Sequence, residues 1–433
     1  MTVLLFVVGV LVFVVGIAAS IGLHEMGHLI PAKRFGVKVT QYFIGFGNTV
    51  WSTRRGETEY GVKSVPLGGY VKLVGMLPPA AGDPQGRPRQ ATTGMFSQLI
   101  SDAREAEAEH VKPGDEDRLF YKLPVWKKVV VMSGGPLVNI AIAFFLFAGL
   151  FGLYGTLEPT TTVRTVAQCV VPHSEADREC TASDPAAPAA DAGLLPGDRI
   201  VSFNGEPVEE WSELVGLVRD NEDGRAVIGY VRDGEQRTAT TSTTVNSVRS
   251  LEGDETFVDA GFLGVGSTTV REHHGLIFTA EQMALMTKET VIALAHLPVK
   301  VWDVAQAVVG LEERALDSPI SVVGAGRIAG EVTSDTSDPV AERAAFLVSL
   351  LAGLNLFIGM FNLVPLLPLD GGHIAGALYE GLRRGWARVR RRPDPGFVDV
   401  AKLLPVAYVV AGALLVMSVV LIAGDLVAPV SIS

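Results

Sequence analysis

Residues 18–32 read AASIGLHEMGHLIPA and continue an apolar run that begins at Thr2. A segment fit to lie in lipid here carries His24, Glu25 and His28 within five positions. Ionisable groups at membrane depth are expensive unless paired or wet, so three together mark a functional site. On a helix, His24 and His28 stand at i, i+4 and project from one face about a turn apart, which lets two imidazoles bind one Zn²⁺. Glu25 is rotated off that face yet near enough to take a proton from a water held there. Two histidines on zinc require a third protein ligand and one open position. The local reading therefore sends the search along the rest of the chain.

The composition agrees with a membrane location. Of 433 residues, 48% are apolar and only 19% charged, which points to a membrane protein with a soluble part attached. Four stretches are long enough to cross about 30 Å of hydrocarbon. They give a first transmembrane helix over 1–30 with HEMGH, a second over 129–154, a third over 345–379 and a fourth over 403–424. A cleaved signal peptide fits the first run poorly, because it lacks a basic start and puts HEMGH where a small-residue cleavage site belongs.

Orientation follows from Lys and Arg near the span ends. Lys33, Arg34 and Lys38 follow the first span, Lys122, Lys127 and Lys128 precede the second, and six arginines fall in 380–402. Residues 155–345 instead hold 31 acidic against 14 basic residues. Residues 31–128 and 380–402 are thus expected in the cytoplasm, with the acidic segment and both termini outside. No basic stripe interleaved with aromatics appears, so nucleic acid is not an expected partner.

Within the outer segment, 158–268 shows short β-like runs broken by Gly, Asp and Pro. Its stretch AADAGLLPGDRIVSFNGEPVEEWSEL resembles PDZ domains of bacterial membrane-associated proteases, which bind extended peptides at a sheet edge. The resemblance puts the groove region at Gly193, Leu194, Leu195, Gly197 and Asp198; a steric plug is the alternative role. Cys169 and Cys180 lie in the same segment, where a disulfide would persist; two buried thiols are the alternative. Residues 271–344 read as amphipathic, interfacial helices.

In the cytoplasmic loop, 49–75 alternates around Arg55-Gly56 as a membrane-associated β-hairpin. An exposed edge at Gly69, Tyr70 and Val71 can pair with an unwound substrate helix, or the hairpin is simply structural. Residues 77–118 are polar and read as a flexible insertion. In the second span, Gly134-Gly135-Pro136 with Asn139 offers either a polar contact to substrate or a helix-packing notch.

The third ligand is sought in FNLVPLLPLDGGH, residues 361–373. Pro365 and Pro368 interrupt the third span, and a backbone break at that depth is tolerable only inside protein or beside water. Asp370 stands at the break and is the only acid between Glu342 and Glu380. By the orientation above, it and HEMGH share the cytoplasmic side of the membrane. His373 is a competing ligand, and Glu380 reads as an interfacial charge.

HEMGH, GGYVK (68–72), SGGPLVN (133–139), the PDZ stretch, DSPISVVGAG (317–326) and NLVPLLPLDGG (362–372) occur here in an order that resembles the site-2 protease family. These are intramembrane zinc metalloproteases, and the chain resembles their bacterial RseP-like branch with a PDZ domain. The resemblance implies one zinc held by His24, His28 and Asp370, with Glu25 as catalytic base. It implies that Asn362 and Pro365 help to accommodate substrate. It also implies a cell-membrane enzyme acting on single-span proteins, such as anti-sigma factors or signal-peptide remnants, after a site-1-type protease has trimmed their outer part.

The fold class expected is thus a multi-pass α-helical membrane protein of about four transmembrane helices, with an extracytoplasmic PDZ-like α+β domain and a cytoplasmic hairpin. Three rivals stand beside the protease reading. A prenyl-protein-type membrane metalloprotease takes a glutamate as third ligand and needs a downstream helix motif absent here. A non-proteolytic PDZ scaffold has no need of Glu25 beside paired histidines. A metal transporter would spread ionisable residues over several spans.

Overall fold

The computed structural model describes residues 2–78, 111, 113–171, 178–181, 183–249, 257–315 and 317–430. It divides into two units, one of residues 1–154 with 275–433 and one of 155–274.

In the first unit, α1 (Thr2–Arg34) is apolar on every side for its first twenty residues, as a helix in lipid must be. The chain then turns into β1 (Val39–Arg55) and β2 (Thr58–Leu73). The hairpin turns at Gly56, whose φ of 65° suits glycine, and begins ten residues earlier than the alternation alone indicates. The reason is a doubled pairing: Phe43 is partnered by both Gly61 and Tyr70, and Ile44 by both Val62 and Gly69. Residues 41–44 are flanked on both sides, which leaves Gly69–Leu73 as an edge.

Much of the stretch expected as a flexible insertion, 77–118, lies outside the described residues. Its last part is tied down: Arg118 forks onto Glu57 at 2.6 and 2.8 Å, and Lys38 pairs with Asp115. Hydrogen bonds from Arg118 hold the Glu57 carboxyl below the usual carboxylate range.

Helix α2 (Val125–Gly149) runs beside α1 and ends in a wider turn over Leu150–Tyr154. In the second unit, β3 (Thr156–Val166) is followed by a short helix, α3 (Pro188–Asp191), then β4 (Arg199–Phe203), β5 (Glu206–Pro207) and α4 (Trp211–Asp220). Strands β6 (Arg225–Arg232), β7 (Glu235–Ser242), β8 (Thr244–Arg249), β9 (Phe257–Phe262) and β10 (Val265–Glu272) complete it. The sheet order is β10-β3-β4-β6-β7, with β5 on β4, and β8-β9 form a separate ribbon. Its core packs Ile200, Phe203, Leu214 and Ile228 around Leu194. Cys169 and Cys180 are joined by a disulfide, and Arg178 forks onto Asp184 in the same loop.

Asp198 is buried, accepts two bonds from Arg232 at 2.7 Å each and one from the Leu195 amide at 2.8 Å. Burial alone would raise its pKa; the Arg232 fork and the amide outweigh it and hold the carboxyl below its ordinary value. A lowered folded-state pKa contributes stability above the unfolded value of about 3.9 that is lost as pH falls through the folded one. Amide hydrogen exchange of the full chain should therefore show β4 and β6 losing protection below about pH 4, and Asp198→Asn should remove that pH step while lowering protection at neutral pH. A variant with wild-type exchange at both pH values would exclude the pair as a stabilising device.

Back in the first unit come α5 (Leu276–Val308), α6 (Val322–Ser334), α7 (Val340–Asn362), α8 (Asp370–Val389) and α9 (Leu404–Val427). The stretch expected as one broken third span, 345–379, is two separate helices. Between α7 and α8 the backbone is irregular over 363–369, and the Leu367–Pro368 bond is cis.

The sequence reading counts four spans, whereas five described helices are long and apolar enough to cross a membrane; α5 makes the difference. Phe278 and Met283, in its first turns, pack on Phe147 and Phe151 near the end of α2. Val304, in its last turns, lies against Gly424 near the end of α9. That end of α9 bonds through Asp425 to Ser321, at the cap of α6. Helix α6 in turn packs its small residues against the N-terminal half of α1, with Ala325 and Ala329 beside Phe13 and Gly330 beside Phe6. Both ends of α5 are therefore at the end of the bundle remote from HEMGH.

Candidate metal centre

Three helices supply the site. His24 and His28 come from α1, where the i, i+4 spacing puts both rings on one face, and their centroids are 5.0 Å apart. Asp370, the first residue of α8, is delivered by the break after α7. Gly371 and Gly372 make that delivery possible, since a Cβ on either would strike the backbone of residues 363–367.

The His24 and His28 Nε2 atoms are 3.3 Å apart and lie 3.4 and 3.2 Å from Asp370 Oδ2. Donors around a tetrahedral zinc at about 2.0–2.1 Å stand about 3.3–3.4 Å from one another. The three separations match that spacing, and this is the one such cluster among the described residues.

The remaining ring nitrogens fix the tautomers. His28 Nδ1 donates to the Val131 carbonyl at 2.8 Å, and His24 Nδ1 donates to Asn139 Oδ1 at 3.1 Å. With the protons spent on Nδ1, both Nε2 lone pairs face the shared position, as imidazole ligands require. The donor set of two neutral imidazoles and a carboxylate, with oriented outer partners, suits zinc with one position left open.

Glu25 lies beside the triad and packs against the hairpin. Its carboxylate accepts the Val71 amide, so the edge strand Gly69–Leu73 directs a backbone donor at it. Gly69 is required there, because a Cβ would come within 2.9 Å of Glu25 Cγ and of Ile21 Cγ2. Tyr70 stacks on Phe43 at 5.7 Å.

Some sequence-flagged residues fall elsewhere. Asn139 is completely buried between α1 and α2, turned onto His24 with no surface open to a substrate. Asn362 donates to the Ile358 carbonyl within α7 at 3.1 Å. Pro365 lines a cavity of about 810 Å³ between the 365–367 segment, α8 and residues 395–406. His373 is half-buried and is not one of the clustered residues. Glu380, read as interfacial, is instead buried against Lys128. In the second unit, Leu194 is core, Leu195 is exposed, and Gly193 and Gly197 adopt positive φ in the turn before β4.

Two further contributors carry no sequence signal, and a third, Gly135, is flagged by sequence only as part of a substrate contact or packing notch. The Val131 carbonyl is a backbone atom. Gly135 leaves space where any side chain would meet both Nε2 atoms. Asn355 on α7 donates to Ser20 on α1 at 3.0 Å, a buried polar link between two apolar helices that only their packing reveals.

A family model described as Peptidase family M50 matches residues 12–393. The zinc metalloprotease Rip1 of Mycobacterium tuberculosis is 35% identical over 447 residues, covering 99% of both chains. Rip1 of Mycolicibacterium smegmatis is 33% identical, covering 99% of this chain and all of its own. The metalloprotease MmpA of Caulobacter vibrioides is 28% identical over 86% of each.

Proposed function

The chain belongs to peptidase family M50, the site-2 proteases, and from that membership we propose that this zinc metalloprotease cuts single-span membrane proteins inside the bilayer with the centre formed by His24, His28, Asp370 and Glu25. The observation that carries the reading is the triangle of two Nε2 atoms and one carboxylate oxygen, with Glu25 beside it at membrane depth. When bound, zinc supplies Lewis acidity, making water more acidic and polarising a peptide carbonyl.

The chain's own groups do the rest. His24, His28 and Asp370 hold the ion, while Asn139 and Val131 keep the two rings aimed. Glu25 takes a proton from the attacking water and returns it to the departing nitrogen. A transmembrane helix hides its carbonyls in i, i+4 bonds, so the substrate must become extended before attack. The edge Gly69–Leu73, next to Glu25, offers backbone groups to an extended segment by strand addition. Asn362 and Pro365 belong to the path by which such a segment leaves its helical form.

The physiological substrates on this reading are anti-sigma-factor-like proteins or signal-peptide remnants already trimmed outside by a site-1-type protease. The 155–274 unit is PDZ-like and extracytoplasmic, acting as a docking or size filter around Gly193–Asp198. The active site faces the cytoplasmic side of a bacterial cell membrane, and α5 is an interfacial helix.

The test uses purified full-length protein in bilayer discs with a single-span substrate lacking its outer domain. Cleavage should map within the transmembrane segment by mass spectrometry, stop when a chelator strips zinc and return when zinc is restored. Cuts confined to soluble tails, or unaffected by zinc removal, would sink the proposal.

A further inference from the structure

One face of α2 touches both helices that carry the clustered residues. Lys128, Val131, Gly135 and Asn139 recur at spacings of three, four and four residues and so line a single helical stripe. Val131 and Asn139 orient the two histidines of α1, and Gly135 leaves room for them. The first member, Lys128, reaches the other ligand-bearing helix: its Nζ meets Glu380 Oε2 of α8 at 2.9 Å, with side chains 7% and 3% exposed.

The pair is built into a larger knot. Arg384 Nη2 lies 3.2 Å from Glu380 Oε1, and the Val398 amide donates to Glu380 Oε2 at 3.2 Å. The Phe397 ring carries Lys128 and Arg384 at 5.1 and 5.0 Å from its centroid. Gly381 of α8 lies against Val125 of α2, so the two helices touch closely beside the charges.

Buried ion pairs are poor sources of stability, since apolar residues of similar volume serve as well or better; their best-attested use is to fix how two elements meet. Apolar contacts tolerate sliding and rotation, whereas a charge pair with a further amide donor and a second cation beside it permits one alignment. Glu380 is ten residues, about 15 Å of rigid helix, from Asp370 at the start of α8. Any slip of α8 on α2 would move the carboxylate away from rings that α2 holds fixed.

We propose that Lys128 and Glu380 are positioning residues for the metal centre, locking α8 to the stripe of α2 that already orients His24 and His28, so that Asp370 completes the triad. This rests on the ligand assignment above. A natural control exists: Arg314 and Asp425 form an equally buried pair at 2.7 Å, with side chains 3% and 4% exposed, at the end of the bundle remote from HEMGH.

Zinc affinity is measured on full-length protein in detergent by competition with a chromogenic chelator, and thermal unfolding on the zinc-free form. Glu380→Gln and Asp425→Asn should both lower the unfolding temperature. Only Glu380→Gln should weaken zinc binding, by tenfold or more, while Lys128→Arg stays within threefold of wild type. Should Glu380→Gln not fold, Glu380→Asp keeps the charge but shortens the reach by one methylene and should weaken zinc at least threefold. Wild-type affinity in the folded Glu380 variants, or equal weakening by Asp425→Asn, overturns the proposal. Asp370→Asn in the same titration separates the two readings. If it loses zinc while the Glu380 variants do not, only the positioning role fails; if it binds zinc normally, the ligand set fails and the positioning role with it.

Discussion

Glu25→Gln is expected to lower the rate of substrate cleavage by about 10²–10⁴-fold, the usual contribution of a positioned general base, with zinc content unchanged. The substitution preserves side-chain volume beside Gly69, where space is measured in tenths of an ångström. Its amide oxygen can still accept the Val71 N–H that the carboxylate accepts. What is lost is the ability to take a proton from water and return it to nitrogen. None of the three clustered atoms to which the proposal assigns the ion belongs to Glu25, so metal analysis should find one zinc per chain as in the wild type. Single-turnover cleavage in bilayer discs is the measurement, because slow product release could mask the chemical step under steady-state conditions. Retention of a substantial rate in the zinc-loaded Glu25→Gln variant would remove Glu25 from the chemistry.

The ease with which that variant can be designed reflects how much of the centre is written locally. HEMGH alone places two candidate ligands and a candidate base together through helical periodicity. Asp370 stands out because it is the one acid in a long apolar stretch and sits at a proline-marked break. Both signals are energetic: a charge in lipid has to be explained. The same logic failed for Glu380 and Lys128, because charges near span ends also occur as ordinary interfacial groups, and sequence cannot tell one that snorkels from one that is buried. Likewise α5 is marginal by composition, so its place at one end of the bundle depends on Val304 meeting Gly424, a contact between residues about 120 apart. The doubled pairing of residues 41–44 was invisible for a related reason. Alternation reports which residues face a sheet surface, not how many neighbours a strand has.

Gly135→Ala carries the other large effect, and it separates room for the ion from the residues that hold it. A Cβ at this position would overlap His28 Nε2 and approach His24 Nε2 to 2.7 Å. Backing α2 away would forfeit the close backbone packing of the two helices, in which the neighbouring Gly134 rests against the carbonyl of Gly27 on α1. The rings must therefore turn, and turning breaks the Nδ1 bonds to Asn139 and Val131 that aim both lone pairs. Outer-partner losses of this kind typically cost 10–100-fold in metal affinity or activity, and two are lost here together with the ligand geometry. Zinc affinity should accordingly fall by about 100-fold or more, and cleavage should vanish at ordinary zinc concentrations. The fold itself should hold, since alanine favours a helix interior over glycine by about 0.5–1 kcal/mol and the added methyl meets movable side chains. Circular dichroism and thermal unfolding of the zinc-free protein check that point, and chelator competition reads the affinity. Excess zinc should restore little activity, because the rings no longer converge. Full rescue by zinc would mean that the histidines adjust without losing their aim, and that the clearance at Gly135 is incidental. Set beside Glu25→Gln, the two variants divide the site cleanly: one keeps the ion and loses the chemistry, the other loses the ion because a single methyl occupies the stripe of α2 on which both histidines depend.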